Sequence, residues 1–137
     1  MSTKLFRDLR HKLGHRGESD AVKILKCKKY RILGRNWKIK AGEIDIVALD
    51  GDNVVFVEVK SRCVRPDRDI FNHILNFSNR QRKRNFAAAK VFRKVSGTTA
   101  LPGRFDLFEM KYDKSMRLIG AYQHYDYLPP LLPEEQK

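Results

Sequence analysis

The sequence predicts one α/β domain in which helices flank a central mixed β-sheet, with the element order α-β-β-β-α-β-β. Residues 42–62 hold two apolar, β-branched runs on either side of turn-forming residues, which is the pattern of a β-hairpin. Residues 78–96 have helical periodicity and lead to a further strand at 104–112, so a crossover should make that strand parallel to the second hairpin strand. A chain of 137 residues fits a single domain with a sizeable core.

The charge balance favours a polyanionic partner. The chain has 29 Lys and Arg against 16 Asp and Glu, a formal net charge of +13. A positive electrostatic field of this size favours nucleic acid as the binding partner, with an anionic membrane surface second. A basic protein without a polyanionic partner could have the same net charge. Cys27 and Cys63 lack metal-binding spacing, which fits a reducing cytoplasm. No signal peptide or transmembrane stretch is expected, because no apolar run has the required length.

The first elements are helical. Residues 1–13 predict either a short helix or a basic arm that orders on nucleic acid, and the nuclease-like domain is expected to span 14–125. Residues 14–29 predict a helix whose apolar side contains Ala21, Ile24 and Leu25. Glu18 lies one turn earlier, near that side, either as a partner of the helix dipole or as a group directed at a functional site.

The strand expected at 30–38 carries two informative residues. Gly34 interrupts the pattern and predicts a bulge or a close backbone approach. Trp37 is the only tryptophan, and its side chain is expected to pack in the core near the hairpin, with stacking on a base as the alternative.

The hairpin predicts a pair of opposed carboxylates. A two-residue loop at Gly51-Asp52 places Asp45 opposite Glu58, with Lys60 following on the same face. Opposed like charges destabilise a sheet, and Mg²⁺ or Mn²⁺ would relieve the repulsion. Lys60 could then stabilise a phosphate oxyanion or orient water. A solvent-facing strand edge is the alternative, and a three-residue loop would break the opposition.

These motifs resemble the YraN-like family of small bacterial predicted endonucleases. The resemblance lies in Gly42-Glu43-Ile44-Asp45-Ile46-Val47 and Val55-Phe56-Val57-Glu58-Val59-Lys60-Ser61-Arg62, extended by Gly17-Glu18, Arg35-Asn36-Trp37 and Arg104-Phe105-Asp106. That family is similar to archaeal Holliday-junction resolvases within the PD-(D/E)xK superfamily, which implies a restriction-endonuclease-like core. It further implies Asp45 and Glu58 as metal ligands, Lys60 as the catalytic lysine and Glu18 as the acidic residue on the helix.

Two stretches depart from the family pattern. Lys29 stands where the family usually carries Gly, which predicts a different helix end because a side chain in a left-handed cap costs roughly 1 kcal/mol. Residues 63–77 replace the usual Gly-containing connection and predict either a flap over the site or a short amphipathic segment. Arg62 and Arg65 make this stretch basic, and His73 is an isolated candidate base.

The helix predicted over 78–96 combines a core side with a basic start. Ser78 and Gln81 form a capping box, and Gly97 ends the helix. The core stripe is expected to contain Ala88, Val91, Phe92 and Val95. The first turns contain basic residues that oppose the helix dipole and would suit a phosphate, or that simply form a solvated face: Arg80, Arg82, Lys83 and Arg84. Gln81 is a candidate to assist the lysine.

The remaining chain predicts strands at 104–112 and 117–125, followed by a proline-containing tail at 126–137. The complete reading is a cytoplasmic, metal-dependent endonuclease that binds nucleic acid, most plausibly DNA, with Mg²⁺ or Mn²⁺ as cofactor. The alternatives are a non-catalytic module that binds DNA or structured RNA, and an assembly protein that binds ribosomal RNA. By analogy with the junction-cleaving relatives, a homodimer is a further expectation.

Overall fold

The computed structural model describes residues 3–64 and 78–135. Its element order is the predicted α-β-β-β-α-β-β. The elements are α1 (Thr3–Cys27), β1 (Arg31–Ile39), β2 (Gly42–Asp50), β3 (Asn53–Cys63), α2 (Asn79–Ser96), β4 (Gly103–Tyr112) and β5 (Leu118–His124). Within the described ranges, no helix combines the length and the apolar character needed to cross a membrane.

The five strands form one mixed sheet in the order β1-β2-β3-β4-β5. β2 and β3 pair antiparallel with Asp50 opposite Asn53, so the predicted two-residue loop is confirmed. β4 runs parallel to β3, as the crossover through α2 predicts, and β5 returns antiparallel to β4. The register of β1 shifts between Ile32 and Gly34, which confirms the predicted bulge.

The sheet separates two apolar clusters. On one face, Ala21 and Leu25 of α1 pack with strand residues such as Val57. On the other face, Ala88 and Phe92 of α2 pack with strand residues such as Phe56. The architecture is therefore α/β with a five-stranded mixed sheet flanked by helices, consistent with a restriction-endonuclease-like core.

Helix α1 is longer than the sequence pattern indicates. The predicted segments 1–13 and 14–29 form one helix over the described residues, from Thr3 to Cys27. Lys29 adopts φ 70°, and the amide of Tyr30 donates to the carbonyl of Leu25 at 2.9 Å. The expectation that the helix ends differently is therefore wrong, because the main-chain hydrogen bonds hold a left-handed cap even with a lysine side chain.

Helix α2 has the predicted ends but a different buried side. The side chain of Ser78 accepts from the amide of Gln81 at 3.1 Å, and Gly97 closes the helix at φ 71°. Ala88 and Phe92 are buried as predicted, whereas Val91 and Val95 are 36% and 70% exposed and do not belong to the core stripe. The buried side instead includes two polar residues, Asn85 and Arg93.

Each buried polar residue of α2 has distant hydrogen-bond partners. The guanidinium of Arg93 donates to the carbonyls of Thr99, Leu101 and Leu132 at 2.8–2.9 Å. These bonds offset part of the cost of burying the cation, while Nε of Arg93 is buried without a hydrogen-bond partner among the described residues. Arg93 thereby ties α2 to the loop that follows it and to the C-terminal segment.

The C-terminal segment packs against the core at least as far as residue 131. The amide of Tyr127 donates to the carbonyl of Phe105 at 3.0 Å, and Leu131 forms a β-bridge with Gly103. Leu128 and Leu131 are buried in the cluster beneath α2. The stretch predicted as a tail therefore contributes both core side chains and, through Tyr127, a side chain close to the candidate site.

Candidate functional site

The hairpin brings Asp45 and Glu58 together where main-chain pairing stops. The β2–β3 register runs from Asp50–Asn53 to Ile46–Val57, and Asp45 and Glu58 are the next residues on each strand. The amide of Val59 donates to Oδ2 of Asp45 at 2.8 Å, so a side-chain oxygen takes the place of a main-chain acceptor. Asp45 is thus fixed by the backbone of the strand that carries Glu58.

Both carboxyl groups are shifted toward their protonated forms. Burial raises the pKa of Glu58 well above its ordinary value, and the charge of Asp45 raises this pKa further. Burial also raises the pKa of Asp45, although the hydrogen bond from the Val59 amide opposes that shift. Two buried carboxylates side by side are unfavourable unless a proton or a cation lies between them.

Glu58 is held from helix α2 and from its own strand. Nε2 of Gln81 donates to Oε1 of Glu58 at 2.6 Å, and Nδ2 of Asn85 donates to Oε2 at 3.1 Å. Nζ of Lys60 lies 3.5 Å from Oε1 and donates to Oε1 of Gln81 at 3.2 Å. The side-chain amide of Gln81 therefore contacts both Glu58 and Lys60, which are predicted from the sequence to belong to one site.

Asn85 and Tyr127 also belong to the hydrogen-bond network around Glu58, although neither was predicted from the sequence. Asn85 is 1% exposed, and its Nδ2 also donates to Oη of Tyr127 at 2.9 Å. Its Oδ1 is buried without a hydrogen-bond partner among the described residues. Asn85 follows Gln81 by one helical turn, so a polar pair at i,i+4 was the available signal. Tyr127 gave no signal, because its partner is 42 residues away in the chain.

Glu18 reaches the same cluster from α1. Burial and then the charge of Asp45 raise its pKa, while His15, Arg35 and Lys38 lower it. The preceding Gly17 allows this approach, because a Cβ atom there would lie 1.7 Å from Oγ of Ser61 on β3. The charge of Asp45 therefore acts on Glu18, and the assignment of Glu18 to a functional site stays a prediction.

A second close approach fixes α2 over the hairpin. A Cβ atom at Gly42 would lie 1.8 Å from the carbonyl oxygen of Arg84. The start of β2 therefore touches the backbone of α2 between Gln81 and Asn85. This contact sets the distance between α2 and the hairpin, across which the side-chain amides of Gln81 and Asn85 donate to Glu58.

Trp37 completes the support for α2. Its Nε1 donates to the carbonyl of Ala88 at 3.1 Å, and its ring packs edge-on against Phe92 with 5.4 Å between centroids. The predicted role of Trp37 in core packing near the hairpin agrees with these contacts. Both the N–H group and the ring of the indole therefore make contacts within the fold.

The carboxylate cluster suits a hard cation. Asp45, Glu58 and Glu18 offer oxygen donors, which Mg²⁺ and Mn²⁺ prefer. Over residues 3–64 and 78–135, no group of three His, Cys, Asp or Glu side chains is placed to hold a metal ion, so Glu18 does not form a ready-made site with Asp45 and Glu58. A cation bound here would need water or phosphate oxygens in addition, as Mg²⁺ commonly does with one or two protein carboxylates.

The predicted phosphate-binding residues lie on the first turns of α2. Arg80 and Lys83 are exposed, and Arg82 and Arg84 are half-buried. Arg62 is half-buried on β3, where burial lowers its pKa and the charge of Glu109 opposes this shift. Arg65 and His73 lie outside the described residues.

The Arg104-Phe105-Asp106 motif forms a separate polar cluster. Asp106 is fully buried and accepts from Nε and Nη2 of Arg104 at 3.0–3.1 Å. Nη2 of Arg104 also donates to Oη of Tyr30 at 3.0 Å. This cluster joins β4 to Tyr30, which lies in the connection between α1 and β1.

Comparison with known proteins identifies relatives over most of the chain. Residues 17–110 match the model of the uncharacterised protein family UPF0102. A UPF0102 protein of Pelotomaculum thermopropionicum is 33% identical over 119 residues, which cover 87% of this chain and 96% of that protein. A UPF0102 protein of Pseudomonas putida is 37% identical over 99 residues, covering 72% and 78% of the two chains.

Other relatives align over a shorter stretch with higher identity. A UPF0102 protein of Leifsonia xyli is 55% identical over 51 residues, which cover 37% of this chain and 43% of that protein. A UPF0102 protein of Geotalea uraniireducens is 56% identical over 50 residues, covering 36% and 39%. With these two relatives the match therefore spans less than half of the length of either chain.

Proposed function

This chain belongs to the uncharacterised protein family UPF0102, and we propose that it is a metal-dependent endonuclease that hydrolyses phosphodiester bonds in DNA. The observation that carries the proposal is the arrangement around Glu58. Its carboxylate lies beside Asp45 and accepts from Gln81, and Nζ of Lys60 is 3.5 Å away. Two acids can hold the metal ion that this hydrolysis uses, and a lysine beside them can stabilise the charge on the phosphate.

Asp45 and Glu58 would hold Mg²⁺ or Mn²⁺. The resemblance found in the sequence implies the main-chain carbonyl of Val59 as a further ligand, and Glu18 would contribute through water or a second ion. When bound, the cation supplies Lewis-acid stabilisation of the charge that develops on the phosphate. The raised pKa values of the two acids support this assignment, because a cation would favour the ionised forms that burial and mutual repulsion disfavour.

Lys60 would act on the phosphate or on the attacking water. Its ammonium group is partly exposed and therefore accessible to a ligand, while Gln81 fixes its position relative to Glu58. A cation held in this way neutralises developing oxyanion charge without moving during the reaction. Gln81 is thus a positioning residue for both groups.

The polarity of α2 supports a polyanionic substrate. Four basic side chains lie on the first turns of α2, and no acidic side chain occupies its first turn. Such a start is unfavourable for an isolated helix and favourable when phosphates are bound. DNA phosphates would thereby be guided toward the cluster around Glu58.

A cleavage screen tests the proposal. Wild type, Lys60→Ala and Lys114→Ala are incubated with Mg²⁺ or Mn²⁺ and with duplex, flap, single-stranded and four-way-junction DNA. We expect metal-dependent cleavage by wild type and by Lys114→Ala, whose exposed lysine lies in the β4–β5 turn, and none by Lys60→Ala. Salt-dependent binding without cleavage of any of these substrates would instead assign a non-catalytic nucleic-acid-binding module.

A further inference from the structure

A groove with an apolar floor lies between α2 and the C-terminal segment, and two of its residues follow Asn85 and Tyr127 in the chain. It measures about 410 Å³ and is lined by residues of α2 and of the C-terminal segment, among them Phe86, Leu128 and Pro129. Phe86 follows Asn85, and Leu128 follows Tyr127. Asn85 donates to both Glu58 and Tyr127, so this hydrogen-bonded pair connects the groove residues to the carboxylate cluster.

The floor of the groove contains a supported aromatic ring. Phe86 stacks on Phe105 with 5.6 Å between centroids and 22° between planes, which fixes the orientation of its ring. Phe86 is nevertheless only half-buried, so part of the ring is open to the groove. A rigid, partly open ring next to apolar walls is a surface on which a planar base can stack.

The rim of the groove is cationic. Arg82, Lys83 and Lys90 line it, and Nζ of Lys90 lies over the Phe86 ring, 4.8 Å from its centre, so a base that stacks on Phe86 takes the place of this ammonium group. Nε of Arg82 is buried without a hydrogen-bond partner among the described residues. A purely apolar ligand would leave these cations unused, and a free phosphate would leave the floor unused. A nucleotide uses both, because its base is flat and apolar on its faces and its phosphates are anionic.

We propose that this groove binds one unpaired, extrahelical base of a DNA substrate. The proposal rests on the proposed function and specifies its substrate class as DNA with an unpaired nucleotide next to the phosphodiester that is hydrolysed. In continuous duplex the bases are stacked and cannot enter the groove, so such DNA would bind through phosphate contacts alone.

Binding in EDTA tests the groove separately from cleavage. Two duplexes of equal length are compared by fluorescence anisotropy, one fully paired and one with a single extrahelical 2-aminopurine. We expect wild type to bind the bulged duplex at least about fivefold more tightly, and to quench the 2-aminopurine by stacking. In Phe86→Leu, which keeps an apolar side chain but removes the flat ring, the ratio of the two dissociation constants should fall toward one and the quenching should disappear.

Two further variants make the result specific. Phe92→Leu is the same change on the same helix, but Phe92 packs against Trp37 and Phe56 and does not line the groove, so preference and quenching should remain. Pro129→Glu places a carboxylate at an exposed groove position and should abolish the preference even if Phe86→Leu does not fold.

The possible results separate the two proposals. Equal affinity of wild type for both duplexes, or a preference that survives Pro129→Glu, would overturn the groove assignment while leaving cleavage of DNA to stand on the screen described above. Failure of wild type to bind either duplex would also overturn the groove assignment, whereas the proposed function is decided by cleavage with Mg²⁺ or Mn²⁺.

Discussion

Gln81 and Glu58 are joined by a 2.6 Å hydrogen bond from Nε2 to Oε1, although 23 residues separate them in the chain. The hydroxyl oxygen of Ser78 accepts a hydrogen bond from the main-chain N–H of Gln81. The side chain of Gln81 extends instead to Glu58 on the sheet. The start of α2 thus provides a rigid platform from which one amide orients an acid and a lysine together.

Removal of that amide should impair cleavage more than binding. In Gln81→Ala we expect single-turnover cleavage to slow by about 10- to 100-fold, the usual loss when a partner that orients a metal ligand is removed. Affinity for duplex DNA in EDTA should change little, since Gln81 is uncharged. Asn79→Ala, an exposed polar residue in the same turn, is the matched control and should cleave like wild type. A parallel loss of binding and cleavage would indicate a folding defect instead.

Metal binding should depend on Asp45. Titration calorimetry with Mn²⁺ should show binding to wild type and a loss of most of the affinity in Asp45→Asn. Asp52→Asn makes the same change at the exposed tip of the same hairpin and should retain the wild-type affinity. Equal affinities in all three proteins would remove Asp45 from the metal site.

Without metal, Asp45→Asn should stabilise the protein near neutral pH. The pKa values of Asp45 and Glu58 are both raised, so folding favours their protonated forms. Their contribution is complete below the ordinary value of 4.5 for Glu58 and is lost as pH rises through its raised pKa. Asparagine keeps an acceptor for the Val59 amide and removes one charge, which should raise the free energy of unfolding at pH 7.5 by on the order of 1 kcal/mol.

Thermal melts in EDTA between pH 5 and pH 8 provide the measurement. The gain from Asp45→Asn should grow with pH, whereas Asp52→Asn should behave like wild type throughout. A marked loss of stability in Asp45→Asn at pH 7.5 would instead identify the cluster as a structural network whose members stabilise one another.

The basic start of α2 should determine the salt dependence of DNA binding. If Arg80 and Lys83 each contact a phosphate, replacing both with Gln should lower the slope of log affinity against log salt by roughly 1.8 for duplex DNA, at about 0.9 per contact. The same change should raise the free energy of unfolding of the free protein by about 0.3 kcal/mol per residue. The reason is that a cation interacts unfavourably with the positive end of the helix dipole.

Lys94→Gln is the control for this experiment. Lys94 lies in the last turn of α2, where a cation favours the helix, so its removal should leave the salt slope unchanged and slightly destabilise the protein. Weaker binding by the double variant with an unchanged slope would mean that Arg80 and Lys83 do not contact phosphates.

The sequence predicts the sheet well because strand pairing follows local pattern. The loop at Gly51-Asp52 sets the β2–β3 register, and the crossover through α2 makes β4 parallel to β3. The neighbouring positions of Asp45 and Glu58 follow from that register alone. A single-sequence pattern suffices here, since the two-residue loop at Gly51-Asp52 determines which residues of β2 and β3 are opposed.

The buried side of α2 was harder to predict for a physical reason. Periodicity counts apolar residues, so it selected Val91 and Val95, which are exposed. Asn85 and Arg93 are buried with hydrogen bonds to other segments, and the partners Glu58 and Leu132 lie 27 and 39 residues away in the chain. The packing of residues 127–131 was missed for the same reason, as it depends on Phe105 and Gly103.

The hydrogen bond from the Val59 amide to Asp45 affects how genetic data at this position should be interpreted. An oxygen at position 45 serves the backbone of β3 as well as the carboxylate cluster. An alanine allele would therefore combine a misaligned strand with an absent ligand, and a null phenotype would not distinguish the two defects. An asparagine allele separates them, because it preserves the acceptor and removes only the charge.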